Sequence, residues 1–194
     1  MRRSGFGVTV AAWLVVLCLN GGTAAANSLE PFFGSYTGVA EVQDSGTGST
    51  ERRDMDIVIE PYQEEGFRVE WVNVTLVDGR RDLPGVARRV QTVLFEPAPG
   101  REFYVEAQQS SPFREREATL PMRGDPVRWA AIEGKRLQVF SFVVLEDGRY
   151  ELQVYDRILT DQGLDIDFRR LVDGRIVKRI TGSAVRANIS TAEG

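Results

Sequence analysis

Alternating apolar and polar residues, regularly spaced glycine turns and the lack of any run with helical period predict an all-β fold: an antiparallel up-and-down meander of about ten strands closed into a single barrel. Period-two patterning is what a half-buried strand shows, with one face to the core and one to water. The turn signals Asp78-Gly79, Ala98-Pro99-Gly100, Glu133-Gly134-Lys135, Asp147-Gly148, Gln162-Gly163 and Asp173-Gly174 interrupt those runs. Asp-Gly suits the type I′ hairpin turn, whose two central residues need positive φ.

The chain opens on a different pattern. Met1-Arg2-Arg3 is basic, Val8 to Leu19 is apolar, and Asn20-Gly21-Gly22 leads into Thr23-Ala24-Ala25-Ala26. That is the layout of a cleavable signal peptide, shorter than the ~20 apolar residues a spanning helix needs. Residues 1–26 are expected to be removed, leaving 27–194 as one β-barrel domain of a secreted protein with no membrane span. Cys18 would suit a lipid anchor only behind a small residue, and bulky Leu17 precedes it.

Loss of the leader takes two of the 24 Lys+Arg, so 22 basic groups face 28 acidic ones and the net charge is −6. An acidic domain without a basic tract is a poor partner for nucleic acid or for anionic lipid. The sole cysteine also leaves, so the remaining 168 residues must be held by their core. The sequence contains no histidine. This excludes Ser-His-Asp and Cys-His catalysis, histidine-ligated haem and nearly all zinc or copper sites, and no cofactor or metal is expected.

Strands are expected at 33–43, 54–60, 66–77, 90–96, 102–108, 126–132, 136–146, 149–160, 163–172 and 175–187. In the first, Tyr36, Gly38, Ala40 and Val42 alternate with Thr37, Glu41 and Gln43, and in the second Met55, Ile57 and Ile59 alternate with Asp54, Asp56 and Glu60. Between Phe67 and Val77 the apolar phase changes from Phe67, Val69 and Trp71 to Val72, Val74 and Leu76, which a bulge near Trp71 would produce. Ser45 to Thr50 reads as a polar hairpin tip, and Gly79 to Arg89, with Pro84-Gly85, as a loop. Ser111-Pro112 before Phe113 to Ala118 suits the start of a short capped helix. Later, Tyr150, Leu152 and Val154 oppose Glu151, Gln153 and Tyr155, and Leu164, Ile166 and Phe168 oppose Asp165, Asp167 and Arg169.

Consecutive hairpins with short turns leave no room for crossovers, so the strands form a meander. Closure into a barrel removes the two edges, whereas a Greek-key sandwich needs longer connections than the last five strands show. The stretch Phe32-Phe33-Gly34-Ser35-Tyr36-Thr37-Gly38 resembles the first strand of calycin barrels of the lipocalin and avidin kind, where a glycine and an aromatic open the barrel floor. Phe103-Tyr104-Val105-Glu106-Ala107-Gln108 followed by Ser111-Pro112-Phe113-Arg114-Glu115-Arg116 is similar to stretches of T-type bilin chromophore lyases, also calycin-like barrels. That likeness ends near Arg116, and the later cysteine- and tryptophan-rich motifs of the lyases are missing, so it implies a fold and no lyase activity. The chain from 27 onward also resembles exported proteins of alphaproteobacteria, which implies a bacterial periplasm.

Barrels of this size act as cups, and the inward polar and aromatic residues decide what is held. Trp71, Trp129, Phe140, Phe142 and Tyr155 are candidates for that lining, against the alternative that they only fill the core. On the strand of Phe140 and Phe142 the opposite face carries Val139 and Val143, so period alone does not assign the inside. Arg114 and Arg116, with Glu106, form a sharper candidate: two guanidinium groups on one side of an extended segment suit a carboxylate or phosphate, whereas Arg-Glu-Arg-Glu also suits a solvated face. Asp156, Arg157, Arg169 and Arg170 interrupt apolar faces as a buried ion pair or a polar rim would. The carboxylate pairs Asp54/Asp56 and Asp165/Asp167 read as exposed polar faces.

Two functions follow from this reading. The first is an exported barrel that binds a small apolar or amphipathic ligand, anionic ligands included. The alternative is an envelope scaffold whose outer surface engages a protein without any small ligand. An enzyme ranks behind both, since acid/base work would rest on Glu, Asp, Tyr or Arg alone.

Overall fold

The computed structural model describes residues 28–107 and 119–187. It is all-β: β1 (Gly34–Asp44), β2 (Ser49–Tyr62), β3 (Gly66–Thr75), β4 (Ala87–Pro97), β5 (Tyr104–Glu106), β6 (Val127–Glu133), β7 (Arg136–Val144), β8 (Tyr150–Leu159), β9 (Gly163–Val172) and β10 (Arg175–Arg186). Each strand pairs antiparallel with the next, and β1 pairs with β10 from Tyr36 against Arg186 to Asp44 against Lys178, so the sheet closes as a ten-stranded barrel. Short 3-10 turns at Glu30–Phe32 and Pro121–Arg123 are the only helical elements among the described residues. The supposed helix beginning at Ser111-Pro112, the leader 1–26, Arg114 and Arg116 lie outside the described residues.

Turn chemistry explains the meander. Asp78 and Gly79 have φ of 49° and 71°, and Asp173 and Gly174 have φ of 49° and 75°, both pairs having the two consecutive positive values of a type I′ turn. Closure depends on small residues at the seam. A Cβ on Gly38 would collide with the carbonyl oxygen of Ser183 and the Cα of Ala184, and one on Gly182 with the carbonyl oxygen of Val39. Only glycine lets β1 and β10 approach this closely.

Several details differ from the sequence expectation: β2 begins at Ser49, inside the expected hairpin tip, and β4 at Ala87, inside the expected loop. β3 runs through Trp71 in unbroken register with β2 and β4, so no bulge lies there. Phe67, Val69 and Trp71 belong to the inner core, while Val74 is fully buried outside it. By strand alternation Val74 is on the outer face, where Arg81 from the β3–β4 loop reaches Asp54 at 3.5 Å and Asp56 at 2.9 Å. The phase change thus records a second, outer packing site, not an extra residue. The register shift of the barrel falls instead in β10, between Ile176 and Lys178. The fifth strand is also much shorter than 102–108.

The interior is divided along the barrel axis. One end is packed with Phe32, Tyr36, Ile59, Phe67, Phe95, Leu137 and Leu164, all at most 2% exposed. Phe67 stacks on Phe95 at 4.9 Å and meets Tyr104 edge-on at 5.2 Å. Phe32 plugs this floor from the 3-10 turn. The Tyr36 hydroxyl donates to its carbonyl at 2.8 Å, and Arg186 donates to the carbonyls of Phe33 and Pro31, both at 2.6 Å, with its guanidinium 5.0 Å from the Tyr36 ring centroid. Towards the other end the same inward positions turn polar: Glu51 and Arg53 on β2, Gln91 on β4, Arg128 on β6, Ser141 on β7 and Glu151 and Gln153 on β8.

Candidate ligand pocket

The polar half of the barrel holds a cavity of about 220 Å³ lined by Trp71, Gln91, Gly124, Pro126, Arg128, Val139, Ser141, Val143, Gln153 and Tyr155. It lies beside the short β5. β4 pairs with β5 only through Phe95, Glu96 and Pro97, and β6 pairs with β5 only through Trp129 and Ala130. Among the described residues, no strand bridges the remaining wall between Gln91 and Arg128, and the cavity lies inside that stretch.

Trp71 and Tyr155 meet across the barrel. Their ring centroids are 5.1 Å apart, and Tyr155 also leans on Phe168 at 4.6 Å. Each polar tip is tied to a glutamine: Trp71 Nε1 donates to Gln91 Oε1 at 3.0 Å, and the Tyr155 hydroxyl donates to Gln153 Oε1 at 2.6 Å. Burial pushes the Tyr155 phenol up to about 12 against the opposing pull of Arg157 and Arg128. The two sequence candidates Trp71 and Tyr155 are therefore brought together, each tied by a hydrogen bond to a glutamine.

Beneath them is Arg157, a residue noted in the sequence only as an interruption of an apolar face. It is 3% exposed, and its guanidinium carbon is 5.5 Å from the Trp71 ring centroid and 5.7 Å from that of Tyr155. Its Nε and Nη1 are buried without a hydrogen-bond partner. Burial lowers its pKa to about 10, with Tyr155 and Asp156 opposing the shift, so the group is still cationic at neutral pH. The neighbouring carboxylate does not pair with it. Asp156 is on the outer face, where it accepts from Gln138 Nε2 at 2.7 Å and Arg169 Nη2 at 2.5 Å.

Other charges around the cavity are matched. Arg128 Nη1 donates to both carboxylate oxygens of Glu106 at 2.8 and 3.0 Å. Glu106, expected to act with Arg114 and Arg116, which lie outside the described residues, is thus paired with Arg128 on the adjacent strand. Glu151 is 5% exposed; burial pushes its carboxyl up, but hydrogen bonds from Arg170 and Gln153 outweigh this and hold it below the ordinary glutamate value.

The remaining aromatic candidates do not line the pocket. Leu137 and Val139 of β7 and Ala130 of β6 are buried in the core, so alternation puts Trp129, Phe140 and Phe142 on the outer surface. There Trp129 stacks on Phe140 at 5.0 Å and Phe142 on Tyr150 at 6.0 Å. The physical reason is an inversion in the upper wall. β7 and β8 turn Ser141, Glu151 and Gln153 inward and Phe140, Phe142, Leu152 and Val154 outward, because the inner side at that height is a polar cavity. The signal that marks Arg157 in the sequence is its place two residues from Tyr155 on the same face of a strand.

No family model matches the sequence, and no curated protein matches it. A second hollow, about 650 Å³, lies outside the barrel floor between Glu30, Phe33, Glu64, Glu65, Arg101 and Tyr104. Burial and then Glu65 and Glu30 push the Tyr104 phenol up. It is the larger space, whereas the rings that line the inner cavity, Trp71 and Tyr155, have Arg157 with its unpartnered Nε and Nη1 against them. Among the described residues no cluster of His, Cys, Asp or Glu is arranged to hold a metal ion, and no helix is long and apolar enough to cross a membrane.

Proposed function

We propose that this protein is an exported binding cup for a small amphipathic ligand, taken into the polar half of the barrel against Trp71 and Tyr155. The observation that carries this reading is the cavity of about 220 Å³ bounded by two hydrogen-bonded aromatic rings and a few polar groups. Concave sites of this kind, largely preformed and with sparse convergent polar groups, are where small ligands bind. Export to a bacterial periplasm is supported by the basic, apolar and small-residue stretches of residues 1–26. Native mass spectrometry of the protein purified from the periplasm tests both parts. A chain beginning near Asn27 with a co-purifying small molecule supports the reading, and a protein that carries nothing and binds no small amphiphile removes it.

The outer aromatic strip favours a second reading, an envelope scaffold that engages a protein partner through β6 to β8. Trp129, Phe140, Phe142, Tyr150 and Leu152 are neighbours there and none is fully buried. Apolar patches of this sort mark contact surfaces. A photocrosslinker placed at Phe142 should then give a discrete adduct in cells that the same probe at Glu60, on the opposite wall, does not.

A further inference from the structure

We propose that the ligand of this cup is an anion, a small aromatic or apolar carboxylate, held in the field of Arg157; the inference rests on the binding-cup reading. The first ground is charge. Arg128 is matched by Glu106 and Glu151 by Arg170, which leaves Arg157 as the unmatched charge immediately behind the pocket rings. A cation in a low-dielectric interior without a partner is unfavourable, and an anion within several ångströms offsets that cost far more than it would in water.

The second ground is the direction of the hydrogen bonds. Both glutamine oxygens that border the cavity already accept one hydrogen bond, Gln91 Oε1 from Trp71 and Gln153 Oε1 from Tyr155. What remains to meet a ligand is the amide NH2 of Gln91, the hydroxyl of Ser141 and the guanidinium nitrogens of Arg128 not used by Glu106. These are mainly donors, and a wall of donors selects an acceptor. The third ground is size. A cavity of about 150 Å³ takes benzene. The present one has room for such a ring and a carboxylate beside it. Arg157 over the buried sides of Trp71 and Tyr155 also draws electron density away from the sides that meet the ligand.

The test is a fluorescence titration of the full chain, expressed with its leader and purified as processed, in a Trp129→Phe background so that Trp71 reports. Benzoate is compared with its neutral isostere benzamide. Benzoate should bind at least 10-fold more tightly. Arg157→Met, which keeps the volume, should cut benzoate affinity 10-fold or more and leave benzamide unchanged, and Ser141→Ala should weaken benzoate by a smaller factor. Equal affinities for the two probes overturn the anion assignment while the cup stands. No response to either probe overturns the cup along with it. An Arg157→Met protein that melts cooperatively and still prefers benzoate by the original factor removes Arg157 from recognition.

Discussion

At the scale of single residues the most consequential group is Arg157. Its two unpartnered nitrogens and its burial make it a cost to the fold, since each unsatisfied buried donor costs roughly 1–3 kcal/mol. Arg157→Met should therefore raise the stability of the ligand-free barrel by about 1–3 kcal/mol at pH 7, read as a shift in the urea midpoint at constant slope. The sign of the pH dependence follows from the lowered pKa. Below about 10 the arginine is charged in both folded and unfolded chains and the cost is complete; as pH rises above about 10 the folded form sheds its proton first, and wild-type stability gains relative to the variant. Subtracting the two curves removes the opposing contribution of Tyr155. A variant that is destabilised at pH 7 would mean the cation has a partner in the folded protein. Trp71 and Tyr155 were legible as lining because each sits in an alternating run, but Arg157 was not, since a charged residue in such a run reads equally as a rim. Trp129, Phe140 and Phe142 misled for the converse reason: aromatics are ordinarily inward, and only the polar contents of the upper cavity turn them out.

At the scale of elements, the turns were the clearest feature of the sequence. Gly174 follows Asp173 with φ of 75°, so Gly174→Ala should cost about 1 kcal/mol, measured by thermal melting, without changing the circular dichroism spectrum of the folded form. The same substitution at Gly38 belongs to a different class. There the new methyl group meets backbone of β10, and a loss above ~2 kcal/mol or failure to fold is expected. If Gly38→Ala melted like wild type, the seam would be looser than the structure has it. The hairpin of β8 and β9 contributes a third expectation. Glu151 is held below its ordinary pKa, so the stability it confers is present above the unfolded value near 4.5 and is lost as pH falls through the lower folded value. Glu151→Gln should flatten the acid limb of the stability curve and cost about 1–2 kcal/mol at pH 7, when hydrogen bonds to a charged group become ordinary ones. Strand bounds were less legible than turns. β5 is cut to Tyr104–Glu106, and the phase slip in β3 comes from the burial of Val74 on the outer face.

For the whole molecule, the meander was readable because every connection is short, and closure was readable because an open sheet of this length needs a cover the sequence does not supply. What no local pattern carried is that β1 and β10 meet. Their pairing joins residues separated by almost the full length of the domain, from Tyr36 against Arg186 onward, and β10 also forms the whole outer partner of β9. Each stretch of β10 thus completes two ladders, and its inward Ile180 and Ala184 pack in the core. Ending the chain at Asp173 would remove both ladders and expose two adjoining edges, a loss no nine-stranded remainder offsets in a protein with marginal stability. The expected outcome is that this truncated chain shows no cooperative urea transition, and that a separate peptide spanning 175–187 restores one in proportion to its concentration, as linkage requires. A truncated chain that melts on its own with the wild-type slope would show that the sheet stands open, and with it the pocket that depends on a closed wall behind Trp71 and Tyr155.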